Sequence, residues 1–425
     1  MKPYRTLSAS ALAEEQGRVL AAYEAQKAKG LRLDMSRGKP GREQLDLVSD
    51  ILGVLSDPGD CFDGDVDARN YGNLCGLPSA RKLFADILGV QPGQVIVGGN
   101  ASLNLMYDAI SKAFTHGLLH SETPWSRQKG LRFLCPSPGY DRHFRITETF
   151  GMTLVTIPMT PDGPDMDAVE AAVQDPTVKG MWCTPKYSNP DGIIYSDATI
   201  ARIAALRPAA PDFALMWDNA YCVHEFSGPF LPFAEILSLC AAQGNADMVY
   251  EFFSTSKITF PGAGISCMAM SQANVAHFEK LLIPQIISAD KVNQLRHARY
   301  LVDKAHVLEL MQRHAEFLRP KFQAVLDALE SEIAPLDIAR WQRPKGGYFV
   351  SFHAMEGTAA RIRELCAEAG VVMTEAGATY PYGVDPADSN LRIAPTLPAP
   401  EELAAAMTVF CLSVRLAALE KLMEG

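Results

Sequence analysis

Between Ala80 and Ser266 the chain alternates helical stretches with seven short apolar runs: QVIVGG, LRFLCPSP, TLVTIP, GMWCTP, FALMWDNAY, MVYEFFSTS and GISCMAM. Strands alternating with helices predict an α/β fold built on a mainly parallel, seven-stranded sheet with helices on both faces. In such sheets ligands bind beyond the carboxyl ends of the strands. The runs here are followed by small or polar residues: Gly98-Gly99-Asn100, Pro136 to Tyr140, Thr184-Pro185, Asp218-Asn219 and Ser254 to Lys257. The polar groups therefore collect at one rim.

Outside this region the pattern changes. Ser8-Ala9-Ser10 and the ALAEEQGRVLAAYEAQKAKG that follows predict a capped amphipathic helix ending near Gly30, an arm and not a domain. Residues 285–330 predict one long helix or two in succession. Beyond them GGYFVSF, VVMTEAG and NLRIAPT, separated by helical segments, predict a smaller α+β domain. The expected division is residues 1–50 as an arm and part of the small domain, 51–300 as the large domain and 301–425 as the small C-terminal domain.

Composition narrows the functional classes. The 425 residues are 48% hydrophobic and 21% charged, as in an ordinary globular protein. The net charge of −10, with dispersed Lys and Arg, argues against a nucleic-acid or anionic-membrane partner. Nine widely spaced cysteines with no C-x-x-C pair point to reduced thiols, a cytoplasmic location and no zinc. The N-terminal MKPYRTLSASALAEEQGRVL lacks the apolar core of a signal peptide, and no run is expected to span a membrane. The nine histidines show no metal-binding spacing, so no metal is expected.

The chemistry centres on Lys257. The apolar run MVYEFF (248–253) delivers it to the edge of a core, where desolvation favours the neutral amine that attacks carbonyls or takes protons. A lysine snorkelling from a strand end is the plainer alternative. Four rim segments weigh against it: VGGNASLNL (97–105), YSNPDG (187–192), DNAY (218–221) and STSK (254–257). With Tyr71 before GLPSAR (76–81) and Arg392 in NLRIA, in this order and at these separations, the chain resembles the class I/II, fold-type I aminotransferases that use pyridoxal phosphate. The resemblance runs from about Leu31 to the C-terminus. The segment DMSRGKPGREQLDL (34–47) most resembles the aspartate aminotransferase subgroup called type Ic or MocR-like.

The resemblance implies roles residue by residue. Lys257 would anchor the cofactor aldehyde covalently and, once freed, move a proton as base and acid. Asp218 would keep the pyridine nitrogen protonated. Tyr221 and Asn189 would hold the phenolic oxygen, and Tyr140 would stack on the ring. Gly99, Asn100, Ala101 and Ser102, at a helix start, would receive the phosphate with Ser254, while Tyr71 would reach it from a partner subunit of a homodimer. Arg392 would grip the substrate α-carboxylate, with Asn189, Arg37 and Gly38 beside it. Arg37, Lys39, Arg142, Lys291 and Arg296 are the candidates for a distal carboxylate.

Two departures stand out. Relatives carry a phosphate-binding arginine seven or eight residues after the lysine, where this chain has Gly264 and Ile265. Hydroxyls, helix amides and a basic residue from SRGKPG or Arg69 are expected to substitute. Asp191 stands where the family usually has threonine, an exchange expected to be mild. The resemblance implies aspartate:2-oxoglutarate aminotransfer by ping-pong chemistry. An aromatic or 2-aminoadipate/kynurenine-type specificity is the alternative. The effector-binding half of a MocR-type regulator is disfavoured, because only about 30 residues, reading as one helix, precede the match.

Overall fold

A computed structural model describes residues 2–424. All seven apolar runs are strands, and a two-residue strand makes an eighth: β1 Val95–Gly98, β2 Arg132–Ser137, β3 Thr153–Thr160, β4 Gly163–Pro164, β5 Val178–Cys183, β6 Ala214–Asp218, β7 Val249–Ser254 and β8 Ser266–Met270. The sheet order is β1-β8-β7-β6-β5-β2-β3-β4. Strands β3, β2, β5, β6 and β7 run parallel, whereas β8 is antiparallel to both β7 and β1. The extra strand β4 corrects the expected count of seven. It is a Gly-Pro pair folded back on β3, with no apolar run to announce it.

Position in the sheet explains the run-like pattern. Every residue of the central strands β5, β6 and β7 is buried, because both faces carry helices. Near the edge, β3 mixes exposed and buried positions.

The helices that matter below are α1 Ala9–Lys27, α2 Ser102–Thr115, α3 Asp141–Thr149, α4 Lys291–Leu301, α5 Lys304–Glu332 and α6 Pro400–Glu424. The Ser8 hydroxyl caps α1 by accepting from the Ala11 amide, and the chain leaves the helix through Gly30 at φ +64. The 285–330 region is two helices. Val302 at φ +59 breaks it, and Asp303 restarts it by accepting from the His306 amide. A three-stranded antiparallel sheet, β9 Ala339–Trp341, β10 Val350–Ala354 and β11 Asn390–Ile393, follows in that order. Val371–Val372 pairs in parallel with Leu33–Asp34, which ties the segment after α1 to this second region.

Apolar clusters cover both faces of the large sheet, and a third joins α1, the C-terminal part of α5, β10 and α6. The long helix α5 takes part in two of them, with Val307 and Leu310 on the sheet side and Leu318, Phe322 and Val325 in the third cluster. Among the described residues one helix, α6, is long and apolar enough to cross a membrane by length and composition alone, with a mean hydropathy of 1.7, although no run was expected to be long enough. Yet 72% of its apolar window is buried, and it packs on α1, α5 and Ala359–Glu368.

Glu251 is an exception inside β7. It is 2% exposed; Oε1 accepts from Asn219 Nδ2 at 2.9 Å and Oε2 has no partner. Burial pushes its carboxyl up from 4.5 to about 8. The folded state thus binds a proton that the unfolded chain releases, so stability falls as pH rises from the unfolded value through the folded one. Glu251→Gln keeps the shape and removes the titration. In denaturant melts the variant should gain on the parent by on the order of 4 kcal/mol between pH 5 and pH 8. A constant difference across that window would rule the buried acid out.

Candidate active site

The carboxyl ends of β6 and β7, the start of α2, the loop before α3 and the segment 36–39 enclose a cleft of ≈ 630 Å³. It is lined by Lys257, Asp218, Tyr221, Asn189, Tyr140, Ser254, Ala101, Ser102, Arg392, Arg37 and Gly38 among others. The large sheet thus supplies the groups expected for the cofactor, while β11 and the 36–39 segment supply Arg392, Arg37 and Gly38.

Lys257 follows β7 after a single turn, and its Nζ lies 4.8 Å from the ring centre of Tyr221 and 5.6 Å from that of Tyr348. Burial, aided by the positive charge of Arg392, lowers its pKa, although Tyr140 and Asp218 oppose the shift. Asp218 ends β6. Its Oδ2 lies 2.9 Å from His143 Nε2, and its Oδ1 is buried without a partner. His143 is in turn stacked on Trp182, with ring centres 4.5 Å apart and planes at 9°. Tyr140 meets the His143 ring edge-on at 4.9 Å, and burial pushes its hydroxyl up to about 12.

Arg392 donates through Nη1 to Asn189 Oδ1 at 3.1 Å and to Asp141 Oδ1 at 3.2 Å, and through Nη2 to Thr374 Oγ1 at 3.4 Å. Its guanidinium lies 4.6 Å from the ring centre of Phe349. Asn189 therefore turns its oxygen to the arginine and keeps its amide hydrogens for another acceptor. Gly38 is required here by space, because a Cβ would fall 2.7 Å from the Phe349 ring.

At the other end Ala101, having only a methyl, caps none of the first-turn amides of α2. Ser254 Oγ donates to Ser256 Oγ at 3.0 Å, and Ser256 Oγ to the Asn100 carbonyl at 3.1 Å. Gly99 and Asn100 do not line the cleft. Their carbonyls accept from Ser266 and Ser256, which ties the end of β1 to the start of β8 and to the lysine loop. Tyr71 lies outside the cleft as well, 81% exposed, with its carbonyl accepting from Lys291 Nζ at 3.1 Å.

Of the five cations considered for a distal carboxylate, Arg37, Lys39 and Arg142 line the cleft, whereas Lys291 and Arg296 sit on α4 away from its walls. Arg69 lies outside the cleft as well and forks onto Asp67 at the surface, with Nη2 to Oδ2 at 2.6 Å. Gly264 has a steric cause: a Cβ there would meet Thr255 Oγ1 at 2.9 Å and the Phe260 carbonyl at 3.1 Å. Thr255 Oγ1 accepts from the Ile265 amide, and Asn293 donates to the carbonyls of Ala263 and Gly264, so the loop is sewn where an arginine would stand. Asp191 is buried 3.9 Å from His353 Nε2 with its Oδ1 unpaired, and burial pushes its carboxyl up to about 6.

His143, Asp141, Thr374 and Phe349 were not singled out from sequence. His143 alone carried a signal: it lies three residues after Tyr140 in PSPGYDRH, in the first turn of the helix that Tyr140 precedes.

The donor set suits a phosphorylated pyridine aldehyde. A desolvated amine, a buried carboxylate oxygen without a partner, and open helix amides beside three serine hydroxyls stand in one cleft. Comparison with known proteins agrees. The family model for aspartate aminotransferase matches residues 7–425. The chain belongs to this aspartate aminotransferase family. A protein of Mycolicibacterium smegmatis is 47% identical over 404 residues, 94% of each chain. An aspartate aminotransferase of Corynebacterium glutamicum is 45% identical over 399 residues, 94% of this chain and 92% of that one. A crystal structure of an aspartate transaminase from Corynebacterium glutamicum is 43% identical, superposes with a TM-score of 0.96 and covers 99% of both chains. This family member is accordingly a fold-type I aminotransferase dependent on pyridoxal phosphate, acting on amino acids and 2-oxo acids.

Proposed function

We propose that this aminotransferase moves the amino group of L-aspartate to 2-oxoglutarate in two half-reactions, the ping-pong order in which one site serves both acids in turn. The observation that carries the dicarboxylic assignment is the set of cations on the cleft walls. Arg392 is matched to one carboxylate, and Arg37 and Lys39 line the cleft for a second, with Arg142 4.0 Å from Asp141 beside them. An aromatic or long apolar side chain would desolvate these cations without pairing them, which weighs against the kynurenine-type alternative.

Pyridoxal phosphate, when bound, supplies the electron sink that stabilises a carbanion at the substrate Cα. Lys257 would hold it covalently and then use the freed amine to carry the proton from Cα. Asp218 Oδ1 would accept from the ring nitrogen, with His143 fixing Oδ2. Asn189 Nδ2 and the Tyr221 hydroxyl would donate to the phenolic oxygen, and Tyr140 would cover the ring. Ala101 and Ser102, with Ser254, would hold the phosphate, with Gly99 and Asn100 shaping that loop from behind. Arg392 would orient the α-carboxylate, bordered by Asn189, Arg37 and Gly38.

We further propose a homodimer in which the exposed Tyr71 reaches the partner's phosphate site, a division into a large domain over residues 51–300 and a small domain over 301–425 joined by part of 1–50, and a cytoplasmic location. All nine cysteines are free, as a reducing compartment allows. Purified protein with aspartate and 2-oxoglutarate should yield glutamate and oxaloacetate at a kcat/KM at least about tenfold above that with kynurenine or phenylalanine. Equal or reversed preference would overturn the dicarboxylic assignment and leave the cofactor chemistry standing.

A further inference from the structure

Beneath Lys257 lies a buried polar network that none of the roles above uses. Gln44, from the short helix Arg42–Asp46, is 2% exposed and reaches three groups. Its Oε1 accepts from the Gly41 amide at 3.2 Å. Its Nε2 lies 3.3 Å from His314 Nδ1 and 3.2 Å from the Tyr348 hydroxyl. His314, on α5, is 3.0 Å through Nε2 from the Ile258 carbonyl, and Tyr348 Oη is 3.5 Å from the Lys257 carbonyl.

The proton positions follow from the acceptors. A carbonyl only accepts, so His314 Nε2 carries the hydrogen and Nδ1 is left as an acceptor. The Gln44 atom facing Nδ1 must then be the amide nitrogen, and the opposite oxygen meets the Gly41 amide, as it does. Both hydrogens of Nε2 are used, one on His314 and one on Tyr348, which leaves the tyrosine hydroxyl its own hydrogen for the Lys257 carbonyl. One amide orientation and one tautomer satisfy every group. Burial depresses the His314 pKa to about 4, which keeps the ring neutral and this tautomer in place at physiological pH.

We propose that Gln44 is a positioning residue for Lys257, acting through His314 and Tyr348 on the carbonyls of Ile258 and Lys257. The inference rests on Lys257 being the cofactor's anchor. Its consequence is a coupling. Gln44 belongs to the segment that also places Arg37 and Gly38 in the cleft, and that segment is tied to the second region through Ser36 O to Thr374 and Lys39 O to Thr396. A displacement of the substrate-facing segment would therefore reach the lysine backbone through Gln44 and then His314 or Tyr348.

Gln44→Met preserves length and removes both donors, and Tyr348→Phe removes a single hydroxyl with little risk to folding. In the holoenzyme, Gln44→Met should lower kcat by about 10–100-fold with the amino-acid KM within about threefold of the parent, the pattern of a displaced reacting group. Tyr348→Phe should show a smaller loss of the same kind. The pH midpoint of the bound cofactor's absorbance, read without substrate, should move in Gln44→Met, because the lysine's surroundings change. A folded, cofactor-loaded Gln44→Met with parental kcat and an unmoved midpoint would overturn the proposal, and if that variant does not fold, an unchanged kcat and midpoint in Tyr348→Phe would do so. Borohydride labelling of the parent separates the two readings: a label on any residue but Lys257 removes the anchor itself, whereas a label on Lys257 with an inert Gln44→Met removes only the coupling.

Discussion

Lys257→Ala should lower aminotransfer by about 10⁴-fold or more, because it deletes both the nucleophile and the general base in one step. After borohydride treatment the parent should carry a stable label on the peptide containing Lys257, and the variant none. The physical reason is the amine's environment. Lys39 also lines the cleft, but it is exposed, whereas burial lowers the pKa of Lys257 and makes its neutral form accessible. A full-strength label in Lys257→Ala, or a label on Lys39 in the parent, would sink the assignment. A second consequence has the opposite sign. A lysine whose folded pKa lies below its unfolded value disfavours folding at every pH beneath the folded value, and the penalty fades as pH climbs toward the unfolded one. The Lys257→Ala apoprotein should therefore resist denaturant at least as well as the parent at pH 7, with the gap closing at higher pH. Such a pattern would mark the lysine as kept for chemistry at the expense of stability.

Much of the architecture was legible because the buried strands are largely apolar runs, interrupted only by residues such as Lys179 in β5 and Glu251 in β7. Burial on both faces writes a strand as a block, and seven blocks became seven strands. β4 escaped because a Gly-Pro pair has no apolar signature, and its pairing is set by the turn after β3. The length of α6 was missed for a related reason: it is a mostly buried helix, and apolar length alone does not distinguish lipid from protein surroundings.

The site was legible where chemistry demands one residue type at a strand end, as at Lys257 and Asp218. It was not legible where the partner arrives from a distant segment. His143 meets Asp218 across 75 positions, and Asp141 and Thr374 meet Arg392 across 251 and 18. Gly99 and Asn100 show the converse case: they were read from the helix start, yet they do not line the cleft, and their carbonyls accept from Ser266 and Ser256. Gly264 was visible as a departure, but its cause, the crowding by Thr255 and Phe260, needed coordinates.

Asp218→Asn should separate holding the cofactor from using it. Asparagine preserves the shape, so His143 can still donate to the residue's oxygen at the position of Oδ2, and the apolar wall of Trp182 behind the imidazole is untouched. What changes is the atom at the unpaired Oδ1. In the parent a carboxylate oxygen there favours a protonated ring nitrogen, whereas in the variant an amide NH₂ donates and favours an unprotonated one. Cofactor affinity should fall by no more than about tenfold, the scale of one charge-assisted hydrogen bond replaced by a neutral one. Turnover should fall by about 10²-fold or more, since the loss bears on the charge that develops at the substrate Cα. Such a fall at saturating cofactor, with borohydride labelling of Lys257 intact, would place the role of Asp218 in the chemical step. Equal losses of affinity and turnover would instead make it a binding residue only. Parental turnover would mean that the buried oxygen meets no ring nitrogen at all, and the orientation of the cofactor in the cleft would have to be reversed.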